Sequence, residues 1–216
     1  MRYVFHDQLD SIFAELAEIC RQVETAVRLA TDALLNGRAE IAEQVISGDA
    51  EIDLARERVE DNALSLLSLQ SPVAGDLRTV VAALRMVSEL ERMGDLAVHV
   101  AKIARLRVPN CAVPDQARST IERMAEVAED MVSRVAVIIE ERDVDQAEEL
   151  RKDDEEMDHL RRTTFAQLLG NEWTAGVEAA VDLALLGRYY ERIADHAVGV
   201  AGRVVFVVTG QTPASS

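Results

Sequence analysis

The sequence has few of the residues that stabilise small secreted proteins or interrupt helices. Of its 216 residues, two are cysteine, four are proline, ten are glycine and only 4% are aromatic. The two cysteines, Cys20 and Cys111, provide no disulfide framework, which argues against a secreted, disulfide-stabilised fold. Cys20 is predicted to be a buried apolar side chain in an amphipathic helix. The abundance of Ala, Leu, Val, Glu, Arg and Asp predicts a helix-rich protein.

Positive charge is also scarce. Lys and Arg number 23 against 39 Asp and Glu, so the formal net charge is −16. Nucleic-acid binding needs a dense basic surface, and binding to anionic lipid by charge alone needs basic clusters, so this composition argues against both classes. An acidic surface instead suits cations and basic protein partners.

Long apolar runs are missing as well. The most apolar tract, residues 197–209, contains 13 residues and is interrupted by Arg203, so it is too short to cross a bilayer and is predicted to end a core helix. The N-terminal segment MRYVFHDQLDS has an acid at position 7 and no long apolar core, unlike a signal peptide. We therefore expect a cytoplasmic protein whose membrane association is at most peripheral and made through partners.

What the sequence does contain is an internal repeat. The segment ERMGDLAVHVA (91–101) recurs 100 residues later as ERIADHAVGVA (191–201), with seven of eleven positions identical. Further upstream the offset becomes 105 residues, and DAEID (49–53) aligns with DEEMD (154–158). No stretch keeps the alternation of a β-strand, whereas apolar residues around both motifs follow the spacing of helix-bundle seams.

The repeat predicts an all-α fold of two tandem three-helix bundles related by an approximate two-fold axis. The first bundle is assigned to residues 1–107, a linker with two prolines to 108–114, the second bundle to 115–208, and a disordered tail to 209–216. Asn36-Gly37 reads as a helix stop, and three residues are plausible N-caps: Asp115, Asp143 and Thr174. The six helices are predicted at residues 7–36, 38–68, 73–106, 115–141, 143–170 and 174–208.

Each copy of the motif carries a glutamate and an aspartate one helical turn apart. The four residues are Glu91, Asp95, Glu191 and Asp195. In each motif, both acids come one residue after a seam position. The two carboxylates therefore lie on one face of the helix, at the edge of the helix packing. Like charges at this spacing repel, and the repetition of the pair favours a compensating hard cation bound by carboxylate oxygens. The alternative is an ordinary surface ion pair with Arg92 or Arg192.

Further acids and two histidines lie near these pairs. The helix before each motif helix also carries a repeated acidic pair, Asp49 with Asp53 and Asp154 with Asp158. Asp53 and Asp158 are candidates for additional metal ligands, although solvated acids close to Arg56 and Arg162 are an equal interpretation. The histidine candidates are His99, one turn beyond Asp95, and His196, which follows Asp195 but points about 100° away from it.

The doubled ERxxDxAVxVA motif resembles the PhoU family, the regulatory proteins of bacterial phosphate-specific transport. The lead-in LQSPVAGDLR (69–78) and the segment GRYYERIADHA (187–197) carry the same resemblance, which covers roughly residues 5–208. The resemblance implies a six-helix, two-bundle molecule whose ExxxD motifs bind metal ions. Family motifs often have asparagine where this sequence has His99 and Gly199, and histidine where it has Leu96.

The resemblance also implies a function. We expect a non-enzymatic negative regulator of the phosphate-starvation response, which forms a homodimer and binds a divalent or trivalent metal ion (Mg, Mn, Fe or Zn). Its implied partners are the ATPase subunit of the phosphate ABC transporter and a sensor histidine kinase.

Two other classes stay open. A di-iron carboxylate enzyme needs two Glu-x-x-His motifs, and only Glu156 with His159 matches. A helical scaffold that binds no metal is the other. No glycine-rich phosphate loop or nucleophile elbow occurs, so the sequence predicts no catalysis.

Overall fold

The structure, a computed structural model, describes residues 2–211 and contains six α-helices with no strand in that range. They are α1 (Arg2–Asn36), α2 (Ala39–Gln70), α3 (Gly75–Arg107), α4 (Asp115–Glu141), α5 (Val144–Leu169) and α6 (Gly176–Thr209). The predicted all-α class and the predicted number of helices are confirmed. Most predicted ends are within two residues of the observed ones, but α1 begins at Arg2 and not at residue 7.

The helices pack as two similar units that share one core. Helix α3 packs against α1, α2 and α6, while α6 packs against α3, α4 and α5, and α1 contacts α4. The order α2–α3–α6–α5 therefore forms one layer, with α1 and α4 on its other side. The seam residues Leu90 and Tyr190 are fully buried at equivalent places in α3 and α6. Arg107 at the end of α3 donates to the buried Asp182 carboxylate near the start of α6, at 2.6 and 3.1 Å.

The helix ends follow local sequence signals in part. Gly37 adopts a φ of +62° directly after α1, as expected of a helix stop. The Asp143 carboxylate accepts a hydrogen bond from the Gln146 amide at 3.0 Å, so the predicted N-cap of α5 is confirmed. The other two predicted caps are wrong. Asp115 is the first residue of α4, because Pro114 occupies the cap, and Thr174 lies two residues before the start of α6.

The core contact across the two units includes a cysteine. Cys20 of α1 is fully buried, as predicted, and its thiol donates to the Val132 carbonyl of α4 at 3.2 Å. Burial raises the pKa of this thiol well above its usual value. Because α1 packs on α4 and α3 packs on α6, the division into domains 1–107 and 115–208 with a linker at 108–114 stays a prediction.

Two terminal features complete the chain. Of the predicted tail at 209–216, Thr209 belongs to α6, Gly210 ends that helix with a φ of +76°, and residues 212–216 lie outside the described part of the chain. Among residues 2–211, no helix combines the length and the hydropathy needed to span a bilayer.

Candidate cation-binding site

The predicted carboxylates of the first half lie where α2 passes closely over α3. Gly94 permits this approach: a Cβ atom at this position would be 3.2 Å from Ile52 Cδ1 and 3.8 Å from Asp49 Oδ1. We define the first carboxylate cluster as two acids of α2 and two of α3, namely Asp49, Asp53, Glu91 and Asp95. These side chains interact electrostatically with one another across the α2–α3 contact.

Two members of the first carboxylate cluster have raised pKa values. Partial burial raises the pKa of the Asp49 carboxyl, and repulsion by Asp95 and Asp53 raises it further. Burial and then repulsion by Asp95 likewise raise the pKa of Glu91, although Arg92 acts in the opposite direction. Keeping these carboxyls ionised therefore costs free energy, and a cation between them would lower that cost.

The second half builds the equivalent group between α5 and α6. We define the second carboxylate cluster as Asp154, Asp158, Glu191 and Asp195. Partial burial, together with repulsion by Asp195, Asp158 and Glu191, raises the pKa of Asp154 to about 6. Burial followed by repulsion from Glu191 also raises the pKa of Asp195. The internal repeat thus places four carboxylates on each side of the α3–α6 pair.

The two clusters differ in how arginine side chains compensate them. Glu191 is only 8% exposed at its side chain, and it accepts hydrogen bonds from Arg161, at 2.9 Å, and from Arg188. Glu91 is 23% exposed, and its ion pair is a 3.6 Å contact with Arg92. Both oxygens of Glu191 therefore have an arginine partner, while Glu91 keeps most of its acceptor capacity.

The alternative of simple surface ion pairs holds for one motif. Arg92 donates to Asp95 at 3.3 Å, as that interpretation expects. In the second motif, Arg192 instead lies 3.3 Å from the His196 ring. Arg56 interacts electrostatically with Asp53, as expected, but its hydrogen-bonded ion pair is with Glu60 at 2.7 Å.

Both candidate histidines face the α3–α6 interface. The His99 ring stacks on Tyr189 of α6 with centroids 5.3 Å apart. The His196 Nδ1 atom lies 2.5 Å from Glu89 Oε2 of α3, and this hydrogen bond is the main reason that the pKa of Glu89 is lowered. His99 still lies near enough to Asp49 to lower the pKa of that carboxyl.

The donor set fits a hard cation in its chemistry, because carboxylate oxygens are the ligands that Mg²⁺, Mn²⁺ and related ions prefer. Within the part of the chain that the structure describes, however, no three acidic, histidine or cysteine side chains converge on one point. A bound ion would need the exposed carboxylates to change rotamer.

The four acids of α2 and α5 near the motifs differ in burial, and the predicted ligands Asp53 and Asp158 are the more exposed of them. The structure half-buries Asp49 and Asp154, whereas Asp53 and Asp158 are exposed. The sequence does contain a pattern that indicates the burial of Asp49. This residue lies four residues after Val45 and three before Ile52, and both of these are core positions. Helical spacing therefore places Asp49 at the edge of the core-facing side of α2. Asp53 lies further around the helix, towards solvent.

Comparison with known proteins identifies this architecture. The PhoU domain family matches the chain twice, at residues 16–104 and 121–204. The chain is 45% identical to "Phosphate-specific transport system accessory protein PhoU homolog 2" of Mycobacterium tuberculosis, over 99% of this chain and 100% of that protein. It is 44% identical to "Phosphate-specific transport system accessory protein PhoU homolog 1" of Mycobacterium leprae, over 99% and 96% of the two chains.

Solved structures share the fold. The crystal structure of PhoU from Pseudomonas aeruginosa matches with a TM-score of 0.90 and 24% identity, over 96% of this chain and 100% of that one. The phosphate transport system regulatory protein PhoU from Streptococcus pneumoniae matches with a TM-score of 0.86 and 22% identity, over 96% and 98%. The six helices, the internal repeat and the full-length relatives lead to one assignment. The chain belongs to the PhoU family.

Proposed function

We propose that this protein is an accessory protein of phosphate-specific transport that keeps the phosphate-starvation response switched off when phosphate is sufficient. The observation that carries the proposal is the 45% identity, over the whole length of both chains, to a relative named for that transport system. In this proposal the protein acts in the cytoplasm without catalysis, by contacting the transporter ATPase subunit and a sensor histidine kinase. The net charge of −16 favours binding to partners that have basic surfaces.

The cellular experiment deletes the gene in its own host and follows a reporter of the phosphate-starvation response. We expect the reporter to be active in phosphate-rich medium after deletion and silent again after complementation with the wild-type chain. A reporter that stays silent in the deletion strain would contradict the regulatory role. Binding of the purified ATPase subunit and kinase to the immobilised protein tests each partner separately.

Cation binding at the two carboxylate clusters is a second part of the proposal. It is supported by the raised pKa values of Asp49, Glu91, Asp154 and Asp195, for which burial is the main cause and repulsion between neighbouring carboxylates the next. A bound cation would supply positive charge that neutralises each cluster and links its two helices. Glu91 and Asp95, with Asp49 and Asp53, would hold it in the first half, and the four equivalent acids in the second.

Elemental analysis of protein purified without chelator tests this part. We expect bound Mg, Mn, Fe or Zn in the wild type and less in Glu91→Ala/Asp95→Ala. Glu57→Ala/Asp61→Ala is the matched control, because it removes an exposed glutamate and aspartate at the same spacing on α2. Equal and negligible metal in all three proteins would favour the metal-free scaffold, for which the arginine contacts of Glu191 are the supporting observation.

A homodimer is also proposed. Its support is an apolar stripe on the exposed side of α6, where Val177, Val181 and Leu185 recur every four residues and are 81%, 53% and 41% exposed. Sedimentation equilibrium of the wild type and of Val181→Glu tests it. A monomeric wild type would rule the dimer out.

A further inference from the structure

An open groove runs along the first bundle on the side of α1 and α2. Its walls are residues 18–29 of α1 and 44–52 of α2, its floor is formed by Gly94 and Val98 of α3, and its volume is about 440 Å³. This volume is within the range of pockets that bind ligands. The groove lies beside the first carboxylate cluster and shares only Asp49 with it.

The second bundle has two ion pairs at the equivalent place. There, two arginines of α4 cross to acids of α5: Arg123 pairs with Glu156 at 2.7 Å, and Arg134 pairs with Asp153. At the repeat offset of 105 residues, these four positions correspond to Glu18, Glu51, Leu29 and Gly48. The first bundle thus keeps one of the acids and has lost both arginines.

The groove presents acceptor oxygens that no basic side chain of residues 2–211 contacts directly, although Lys102 and His99 interact electrostatically with Asp49. Glu51 and Asp49 make no ion pair with residues 2–211, and the shielded Oε1 atom of Gln22 accepts no hydrogen bond from them. Arg21, a basic side chain that lines the groove, pairs with Glu140 of α4 and with Glu18. Apolar atoms of Leu29, Ile52 and Val98 line the remainder.

From this arrangement we infer that the groove between α1 and α2 binds a segment of a partner protein that inserts an arginine or lysine between apolar residues. The inserted side chain takes the position that Arg123 and Arg134 occupy in the second bundle, and its apolar neighbours cover the groove wall. The inference goes beyond the proposed function, and although the groove shares Asp49 with the first carboxylate cluster, its test leaves all eight clustered carboxylates unchanged.

The test transplants the two ion pairs of the second bundle into the groove of the first. Leu29→Arg/Gly48→Asp recreates the Arg134–Asp153 pair, and Glu18→Arg recreates the Arg123–Glu156 pair with Glu51. A Cβ atom at Gly48 would meet nothing within 4 Å, so the first variant has room for its new side chain. Glu18→Arg tests the groove even if the double variant fails to fold.

A display library of short peptides serves as the probe, selected against the full-length wild type. We expect the recovered peptides to carry arginine or lysine flanked by apolar residues and to bind more weakly at high salt. Both transplant variants should lower their affinity by about tenfold or more. The matched control is Glu148→Arg, which makes the same charge change at an exposed position of α5 and should leave the affinity unchanged.

Three outcomes overturn the inference: recovery of no binder, recovery of peptides without basic residues, or equal binding to the transplant variants. If the wild type instead self-associates and the transplant variants alone become monomeric, the groove is an interface between two copies of this chain. That result also overturns it.

Discussion

The two carboxylate clusters contain the same acids but differ in their surroundings. In the second half, Arg161 and Arg188 enclose Glu191, so its charge is already compensated inside the protein. In the first half, Arg56 is the repeat counterpart of Arg161, yet it turns to Glu60 and not to Glu91. A duplicated motif therefore does not guarantee a duplicated site, because residues outside the motif decide how much charge remains available.

Two substitutions between the halves explain this difference. Position 60 is a glutamate that captures Arg56, whereas the equivalent position 165 is a phenylalanine, and Arg161 lies over its ring at 5.6 Å. Position 88 is a serine, whereas the equivalent position 188 is the second arginine that bonds Glu191. Both changes leave Glu91 with fewer arginine contacts than Glu191, so we expect the Glu91 oxygens to be more available to a cation.

The largest expected effect comes from removing the arginines of the second half. Arg161→Ala/Arg188→Ala leaves the buried Glu191 without a partner and should lower the free energy of unfolding by about 3 kcal/mol, because an uncompensated buried charge is costly. Urea denaturation in chelator-containing buffer measures this value.

Arg56→Ala is the matched change in the first half. It should cost only about 0.5 kcal/mol, since it breaks a partly exposed pair and leaves no fully buried carboxylate behind. Similar losses for Arg161→Ala/Arg188→Ala and Arg56→Ala would mean that Glu191 is no better shielded from water than Glu91, and the comparison between the clusters would fail.

The second prediction makes the first cluster resemble the second. Ser88→Arg introduces the counterpart of Arg188 three residues before Glu91, on an exposed position of α3. The new guanidinium competes with a cation for the Glu91 oxygens, so affinity for Mn²⁺ should fall about tenfold, or about 1.4 kcal/mol. Titration calorimetry with metal-free protein measures it, and Ser88→Gln, which adds length without charge, serves as the control. If Ser88→Arg and Ser88→Gln weaken Mn²⁺ binding equally, the effect comes from the size of the new side chain and not from its charge.

The fold was largely predictable from the sequence, because the repeat and its seam spacing are one-dimensional signals. The identical acids at 91, 95, 191 and 195 could be placed on equivalent helix faces for the same reason. Helix ends were less predictable: Thr174 looks like a cap, but the chain turns there, and Trp173 donates to the Gly176 carbonyl at 2.8 Å before α6 proceeds.

The basic side chains that neutralise the carboxylate clusters could not be predicted from the sequence. Arg161 and Arg162 are adjacent in the sequence, and helical periodicity alone did not single out the one that reaches Glu191, thirty residues away. The pairing of His196 with Glu89 also depends on how α3 and α6 cross, which no local pattern encodes. Contacts between helices set these charges, so their partners emerge only from the packed structure.

The third prediction uses pH to sharpen the comparison. Because the pKa of Asp154 is about 6 in the folded protein and the usual value is 3.8, the folded state binds more protons than the unfolded state between these pH values. Stability should therefore fall as pH rises from about 4 to 6. Asp154→Asn should remove this dependence and stabilise the protein at pH 7 by about 1 kcal/mol, allowing for solvent screening of a half-exposed group.

Unfolding measured at several pH values in chelator-containing buffer tests this expectation, with Asp49→Asn as the equivalent change in the first half. Stability of Asp49→Asn should change in the same direction, since burial and repulsion raise that pKa too. If the stability of Asp154→Asn depends on pH as the wild type's does, other titratable groups cause that dependence.

The smallest expected effect concerns Gly48, which lies inside α2 where the second half has Asp153. Glycine in a helix interior loses more backbone entropy on folding than alanine, and a Cβ atom here meets nothing within 4 Å. Gly48→Ala should therefore raise the free energy of unfolding by about 0.5–1 kcal/mol, whereas Asp153→Ala should lower it by about 0.5 kcal/mol through loss of the contact with Arg134. Thermal unfolding of both variants measures the difference. If Gly48→Ala stabilises the protein yet retains peptide binding, the glycine keeps the groove open by lacking a charged side chain and not by making α2 flexible.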